Sequence, residues 1–289
     1  MRGNAEFMQQ PASFWALVRS LSEGLGYTQR APRGEPKGAG PLKTHTAKDM
    51  AHELTRQGLD PRLVLLDDKP TELGKQLEQY FIYRAQVLND LVKPNLMDVA
   101  EAKALFDKVY ARVNPPATCP IPNNKQSDEK RAPAYLTGLV NMLIYEAIGD
   151  ARCNYSPSQL TTFTRQGVPL RTLARRVDGA FPSVVNPVAV WEIKEYYYTT
   201  TFGSRVADGV YETLLDGLEL DELHKKEGVR AEHVLIVDAR YTWWVCGKSY
   251  LCRMIDMLNM GLVSEIIFGR EVEERIPVLA REWLARAAR

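Results

Sequence analysis

The sequence predicts an α/β fold, a mixed sheet flanked by helices, preceded by a mainly helical N-terminal domain. Three observations carry this expectation. Up to about residue 113, apolar residues recur at helical spacing between recognisable caps. A stretch rich in proline and charge, 114–133, then interrupts the chain. Beyond it, segments of helical and strand period alternate. The chain has 289 residues, is 45% hydrophobic and 25% charged, and carries a net charge of +1. That is an ordinary globular composition, long enough for one large domain or two smaller ones.

The elements follow in order. Phe14 to Gly24 has the apolar spacing of a helix, and a basic Gly/Pro-rich loop, 30–41, follows it. Thr46 with Asp49 forms a capping box that opens a helix, which Gly58 closes. Pro70 suits a first helical turn, and the period running from Leu73 to Leu91 ends at Pro94. Asp98 with Glu101 opens another helix, to about Val113. The Pro115-Pro116, Pro120 and Pro122 stretch sets a domain boundary, giving domains 1–125 and 126–289. The second half reads as a helix at 134–149, strands at 168–181 and 187–198, and a helix from Ser204 to Leu215. A strand at His233–Val237, a helix at Tyr250–Met260, a strand at Val263–Phe268 and a helix from Glu271 onward complete it.

Several classes are disfavoured. No apolar run reaches the ~18–20 residues of a membrane span, and the N-terminus lacks a signal-peptide shape, so a cytoplasmic protein without membrane attachment is expected. Cys119, Cys153, Cys246 and Cys252 form no CxxC pair, and His45, His52, His224 and His233 show no zinc spacing. Neither a P-loop nor a dinucleotide glycine fingerprint occurs, so no nucleotide cofactor is expected. Charge is patterned locally. Arg152, Arg165, Arg171, Arg175 and Arg176 fall within 151–177, a stretch free of acids that runs into Asp178 and suits a polyanionic substrate.

The most informative stretch is Asn186-Pro187-Val188-Ala189-Val190-Trp191-Glu192-Ile193-Lys194-Glu195. Acid-x-Lys is a weak tripeptide, found also at Glu35/Lys37, Asp67/Lys69, Glu101/Lys103 and Asp128/Lys130. Those lie in polar or Pro-rich loops, before a helix-opening proline, or on a helix where i and i+2 diverge. Glu192-x-Lys194 ends an apolar strand, so both side chains share one face while Ile193 points to the other. With Asp178 upstream, the set can hold a divalent cation and activate a water.

Over residues 134–268 the chain resembles the PD-(D/E)XK nuclease superfamily, the restriction-endonuclease-like fold, whose core runs helix–strand–strand–strand–helix–strand. In that family an Asp opens one strand and Glu-x-Lys lies on the next, as Asp178 and Glu192-Ile193-Lys194 do here; Val177 replaces the proline of the family name. The resemblance implies Asp178 and Glu192 as ligands to Mg²⁺ or Mn²⁺, with the metal polarising the scissile phosphate and a bound water. Lys194 would orient or deprotonate that water and offset developing charge. It further implies that Glu146, on the 134–149 helix, completes the metal shell.

The neighbouring residues supply candidate nucleic-acid contacts: Arg171, Arg175 and Arg176, Tyr197 in the polar-aromatic strand end, Ser204 as cap of the next helix, and Arg205 and Tyr211 on that helix. Arg205, Asp208 and Glu212 share a helical face. Trp243 and Trp244 either stack on bases or pack the core, core being favoured. The expectation is a Mg²⁺-dependent DNA endonuclease of restriction or anti-phage type, acting as a homodimer, with the N-terminal domain for recognition. A modification-dependent, structure-specific or RNA nuclease is the alternative, and a non-catalytic nucleic-acid-binding or assembly protein is the alternative of another class.

Overall fold

The structure, a computed structural model, describes residues 1–34, 38, 40–124, 132–199 and 203–288, with the backbone alone for Arg205. The helices are α1 Ala5–Met8, α2 Ala12–Leu25, α3 Ala47–Arg56, α4 Glu72–Val87, α5 Lys93–Asn95, α6 Val99–Val113, α7 Tyr135–Ile148, α8 Ser204–Glu227, α9 Lys248–Asn259 and α10 Val272–Ala287. The strands are β1 Leu65–Leu66, β2 Lys69–Pro70, β3 Thr162–Arg165, β4 Val168–Thr172, β5 Gly179–Phe181, β6 Ala189–Glu195, β7 Glu232–Asp238 and β8 Glu265–Phe268. They form two compact units. One comprises Gly3–Pro94 and Trp243–Met260, the other Met1–Arg2, Asn95–Thr242 and Gly261–Arg289.

The division at Asn95 differs from the expected boundary at 126. The proline-rich stretch packs rather than links. Cys119 is buried, Asn141 Nδ2 donates to the Pro120 carbonyl at 2.8 Å, and Ala134 N–H donates to the Pro122 carbonyl. Phe106 and Val109 of α6 share a core with Leu136, Leu139 and Leu143 of α7. Prolines break helices, but their extended conformation still lays apolar groups on a core.

The first unit is helical, with a core of Phe14, Leu21, Met50, Leu54, Leu77, Tyr80 and Phe81. The Thr46/Asp49 and Asp98/Glu101 capping boxes both form as expected. Pro70 does not start a helix. Asp67 and Asp68, both at positive φ, turn β1 into β2, and Thr71 caps α4. Pro94 does not end the helical run either, because Leu88–Val92 is a π turn in which Lys93 N–H reaches back to the Leu88 carbonyl. Helix α9, expected beside the sheet, belongs to this unit. Its Asp256 accepts from Arg84 at 3.0 and 3.1 Å and from the Tyr80 hydroxyl.

The second unit is a mixed α/β fold built on a four-stranded sheet in the order β5-β6-β7-β8. β5 and β6 are antiparallel, whereas β6, β7 and β8 are mutually parallel. The alternation of β6 decides its two faces. Ala189 and Trp191 pack into the core with α7 and α10, where Trp191 stacks on Trp283 with centroids 5.3 Å apart. Val190 packs on Leu220 and Leu223 of α8, and Glu192 and Lys194 follow it on that same face. The expected strand 168–181 is two elements. Gln166 and Gly167, at positive φ, turn β3 into the antiparallel β4, and 173–178 then runs outside any strand to β5. Helix α8 continues past Leu215 to Glu227, supported by Asp221–Lys225 and Glu222–Lys226 pairs and stopped by Gly228 in the left-handed region. Its N-cap is Gly203, not Ser204. Among the described residues no helix is long and apolar enough to cross a membrane.

Candidate active site

The antiparallel pairing of β5 with β6 brings Asp178 beside Glu192. Asp178 N–H donates to the Trp191 carbonyl at 3.1 Å and to Glu192 Oε1 at 3.2 Å. In return Asp178 Oδ2 accepts from Ile193 N–H at 2.7 Å. Two residues along the same face, Lys194 Nζ lies 2.8 Å from Glu192 Oε2. Asp178, Glu192 and Lys194 are therefore assembled by local strand geometry, as the sequence spacing requires.

Helix α8 and the segment before β5 complete the cluster. Arg175 Nη1 reaches Glu192 Oε1 at 2.9 Å and Asp216 Oδ2 at 2.6 Å, and its Nη2 lies 3.3 Å from Glu212 Oε2. Glu212 Oε2 is also 3.3 Å from Lys194 Nζ. Glu212 and Asp216 sit one turn apart on α8, so both face β6. Asp178, Glu192, Glu212 and Asp216 thus surround Arg175 and Lys194, and carboxylates outnumber cations.

Burial sets the electrostatics. Glu192 is fully buried; desolvation alone would raise its pKa, but Lys194 and Arg175 overcome it and hold it below the ordinary carboxylate range. Asp178 goes the other way, pushed up to about 6 by desolvation and then by the adjacent Glu192 charge. The Asp178 residue as a whole remains open to water. Asp216, wholly buried, is raised to about 7 by desolvation and then by Glu192. Burial opposes the Lys194 charge, yet Glu192 and Asp178 raise its pKa above the ordinary lysine value.

Two neighbouring carboxylates, one of them repelled toward protonation, match the hard-oxygen donor set that Mg²⁺ takes alongside water and phosphate. Among the described residues no group of three or more His, Cys, Asp or Glu is arranged to hold a metal; Asp178 and Glu192 are a pair of carboxylates, not a larger set. Glu192 has both oxygens engaged by Arg175 and Lys194, so a cation there exchanges with a contact already made.

The other expected residues lie elsewhere. Glu146 is exposed and paired with Arg112 of α6 at 2.8 and 2.9 Å, not with Asp178 or Glu192. Its helical position on the far end of α7 directs it to solvent. Arg171 and Arg175 are each already paired with carboxylates. Arg171 pairs with Glu219 and Glu222 of α8, and Arg175 is bound within the acidic cluster. Arg176 is exposed. Tyr197 turns inward and donates its hydroxyl to the buried Asp238. Ser204 is exposed at the first turn of α8, and Tyr211 is exposed further along it; the Arg205 side chain lies outside the described residues, as do Glu35, Lys37, Asp128 and Lys130. Trp243 is fully buried, and Trp244 lies beneath Lys248 Nζ, 4.7 Å from the ring centroid.

Sequence reasoning missed Asp216, and it grouped Arg175 with the nucleic-acid contacts without its carboxylate partners. The signal for Asp216 was its i+4 spacing from Glu212 on a face already marked as polar. Missed too were two further carboxylates at the same strand ends, the half-buried Glu195 and the buried Asp238. Glu195 accepts from the Thr137 N–H and hydroxyl, both at 3.0 Å, at the start of α7. Asp238 accepts from Met97 N–H at 2.8 Å and from Tyr197.

No curated protein and no solved structure matches the chain. Two family models do. One, described as a domain of unknown function (DUF7690), covers residues 1–91. The other, a domain of unknown function (DUF7687), covers residues 97–283. The gap between them brackets Asn95, where one compact unit gives way to the next. The second match spans most of the chain and every residue of the acidic cluster, and the chain belongs to the DUF7687 family.

Proposed function

We propose that the protein is a Mg²⁺-dependent endonuclease of the PD-(D/E)XK type, hydrolysing phosphodiester bonds in DNA, with Asp178, Glu192 and Lys194 as its catalytic residues. The observation that supports this reading is the apposition of Asp178 and Glu192 across β5 and β6 with Lys194 on the same face. Mg²⁺ or Mn²⁺, when bound, supplies Lewis-acid polarisation of the phosphate and of a water. Asp178 and Glu192 hold that cation. Lys194, kept protonated by Glu192 and Asp178, acts as a fixed positive charge that orients water and offsets charge on the phosphoryl oxygens, rather than as a base. In this reading the exposed Arg176 and the exposed start of α8 supply the contacts to the substrate backbone. A homodimer placing two such sites on opposite strands, in a cytoplasmic restriction or anti-phage role, completes the proposal.

One observation favours a second reading. The full engagement of Glu192 by Arg175 and Lys194 is what a structural ion network on a non-catalytic binding protein also requires. Incubating the protein with methylated and unmethylated DNA and with RNA, in Mg²⁺ and in EDTA, separates the two. Mg²⁺-dependent products on DNA support the nuclease. Products on RNA alone change the substrate, and binding without products under any condition favours the structural network.

A further inference from the structure

We propose that Arg175 competes with the cation for Glu192, and that Asp216 is the acceptor that draws Arg175 off it. The inference rests on the reading of Asp178 and Glu192 as the cation ligands. Arg175 lies three residues before Asp178, in the segment between β4 and β5. Its Nη1 is shared between Glu192 Oε1, at 2.9 Å, and Asp216 Oδ2, at 2.6 Å. It therefore occupies one of the carboxylate oxygens that a cation would take.

The neighbouring acceptor is incompletely used. Asp216 is wholly buried, and its Oδ1 has no hydrogen-bond partner among the described residues. A buried carboxylate oxygen without a donor is unfavourable. The guanidinium presents N–H groups in a fork that matches both oxygens of one carboxylate. Moving the fork fully onto Asp216 satisfies Oδ1 and leaves Glu192 Oε1 with only the Asp178 N–H at 3.2 Å. The guanidinium charge is fixed, so Arg175 carries its charge from one carboxylate to the other. Glu212, 3.3 Å from both Arg175 Nη2 and Lys194 Nζ, spans the two positions. Asp216 is a positioning residue in this scheme, acting on the cation site through Arg175, which covers Glu192 until a cation arrives.

The test is calorimetric titration of Mn²⁺ into the full-length protein, comparing wild type, Asp216→Asn, the double variant Arg175→Met/Asp216→Asn, and Asp178→Asn, each checked by circular dichroism for native folding. The double variant removes both charges, so it leaves no buried ion uncompensated. The proposal expects Asp216→Asn to weaken Mn²⁺ binding about tenfold, the value of one charged hydrogen bond. The double variant should bind at least as tightly as wild type. A double variant as weak as Asp216→Asn would make Asp216 a direct ligand and overturn the proposal. Asp216→Asn equal to wild type, with binding still lost in Asp178→Asn, would overturn it while leaving the cation site intact. No Mn²⁺ binding in either wild type or double variant would end both the cation-site reading and the proposal.

Discussion

Asp178 and Glu192 touch, share one acidic cluster, and have opposite electrostatics. Glu192 lies between two cations, and Asp178 feels mainly burial and its neighbour's charge. The folded state holds the Asp178 proton more tightly than an unfolded chain does. Its contribution to stability is therefore fully present below pH 3.8 and lost as pH rises to about 6. Glu192 is the reverse: its contribution is present above pH 4.5 and lost as pH falls through its lowered folded value. In EDTA at pH 8, Asp178→Asn is predicted to melt above wild type, with the difference vanishing near pH 4. Glu192→Gln, removing the carboxylate that Lys194 and Arg175 share while Asp216 and Glu212 remain, is predicted to lose ~1–3 kcal/mol at pH 8. Thermal melting across pH checks both, and equal shifts of one sign would contradict the assignment. Asp178, Glu192 and Lys194 were legible in the sequence because strand geometry fixes which residues share a face. Arg175 was not, because its Asp216 partner lies 41 residues away on α8, and nothing local distinguishes an arginine awaiting phosphate from one already paired.

At the scale of the element, the position of Asp178 depends on the residue after it. A Cβ on Gly179 would stand 2.0 Å from Cε2 of the Trp191 ring, and that ring is fixed from behind by Trp283, whose Nε1 donates to Glu232 at 2.6 Å. Gly179→Ala is accordingly predicted to cost ~1–3 kcal/mol, as overpacking does, and to separate Asp178 from Glu192. A lowered urea midpoint with weakened Mn²⁺ binding is the expected pair of results, and an unchanged midpoint would show that the ring can move. Capped helices were read closely from sequence because their end signals are local. The 168–181 region was misread for a physical reason: β3 and β4 pair with each other through the Gln166-Gly167 turn, and a hairpin edge carries too little apolar alternation to announce itself.

At the scale of the whole molecule, the chain leaves its N-terminal unit near Asn95 and returns to it for residues 243–260. A sequence reading that cuts the chain once cannot represent this. Leu251, Met254, Ile255 and Leu258 of α9 are fully buried, and Asp256 is held by Tyr80 and Arg84 of α4. A fragment beginning at residue 95 is therefore predicted to bind a hydrophobic dye and self-associate, whereas the full chain remains monodisperse in its oligomeric form. A fragment that stays dispersed without dye binding would contradict this dependence. The mixed sheet flanked by helices was legible because its elements alternate along the chain, whereas the return of α9 is a long-range packing choice that periodicity does not encode.

The nuclease reading stands on Lys194 acting as a positive charge beside two cation-binding carboxylates. The measurement to make first is single-turnover cleavage of a DNA substrate in Mg²⁺ by wild type and Lys194→Ala, with matched folding and matched DNA binding. Loss of at least about a hundredfold in rate, the usual value of one such electrostatic contact, is predicted for the variant. Equal rates for the two proteins would place any hydrolysis outside this cluster and contradict the assignment of Asp178, Glu192 and Lys194.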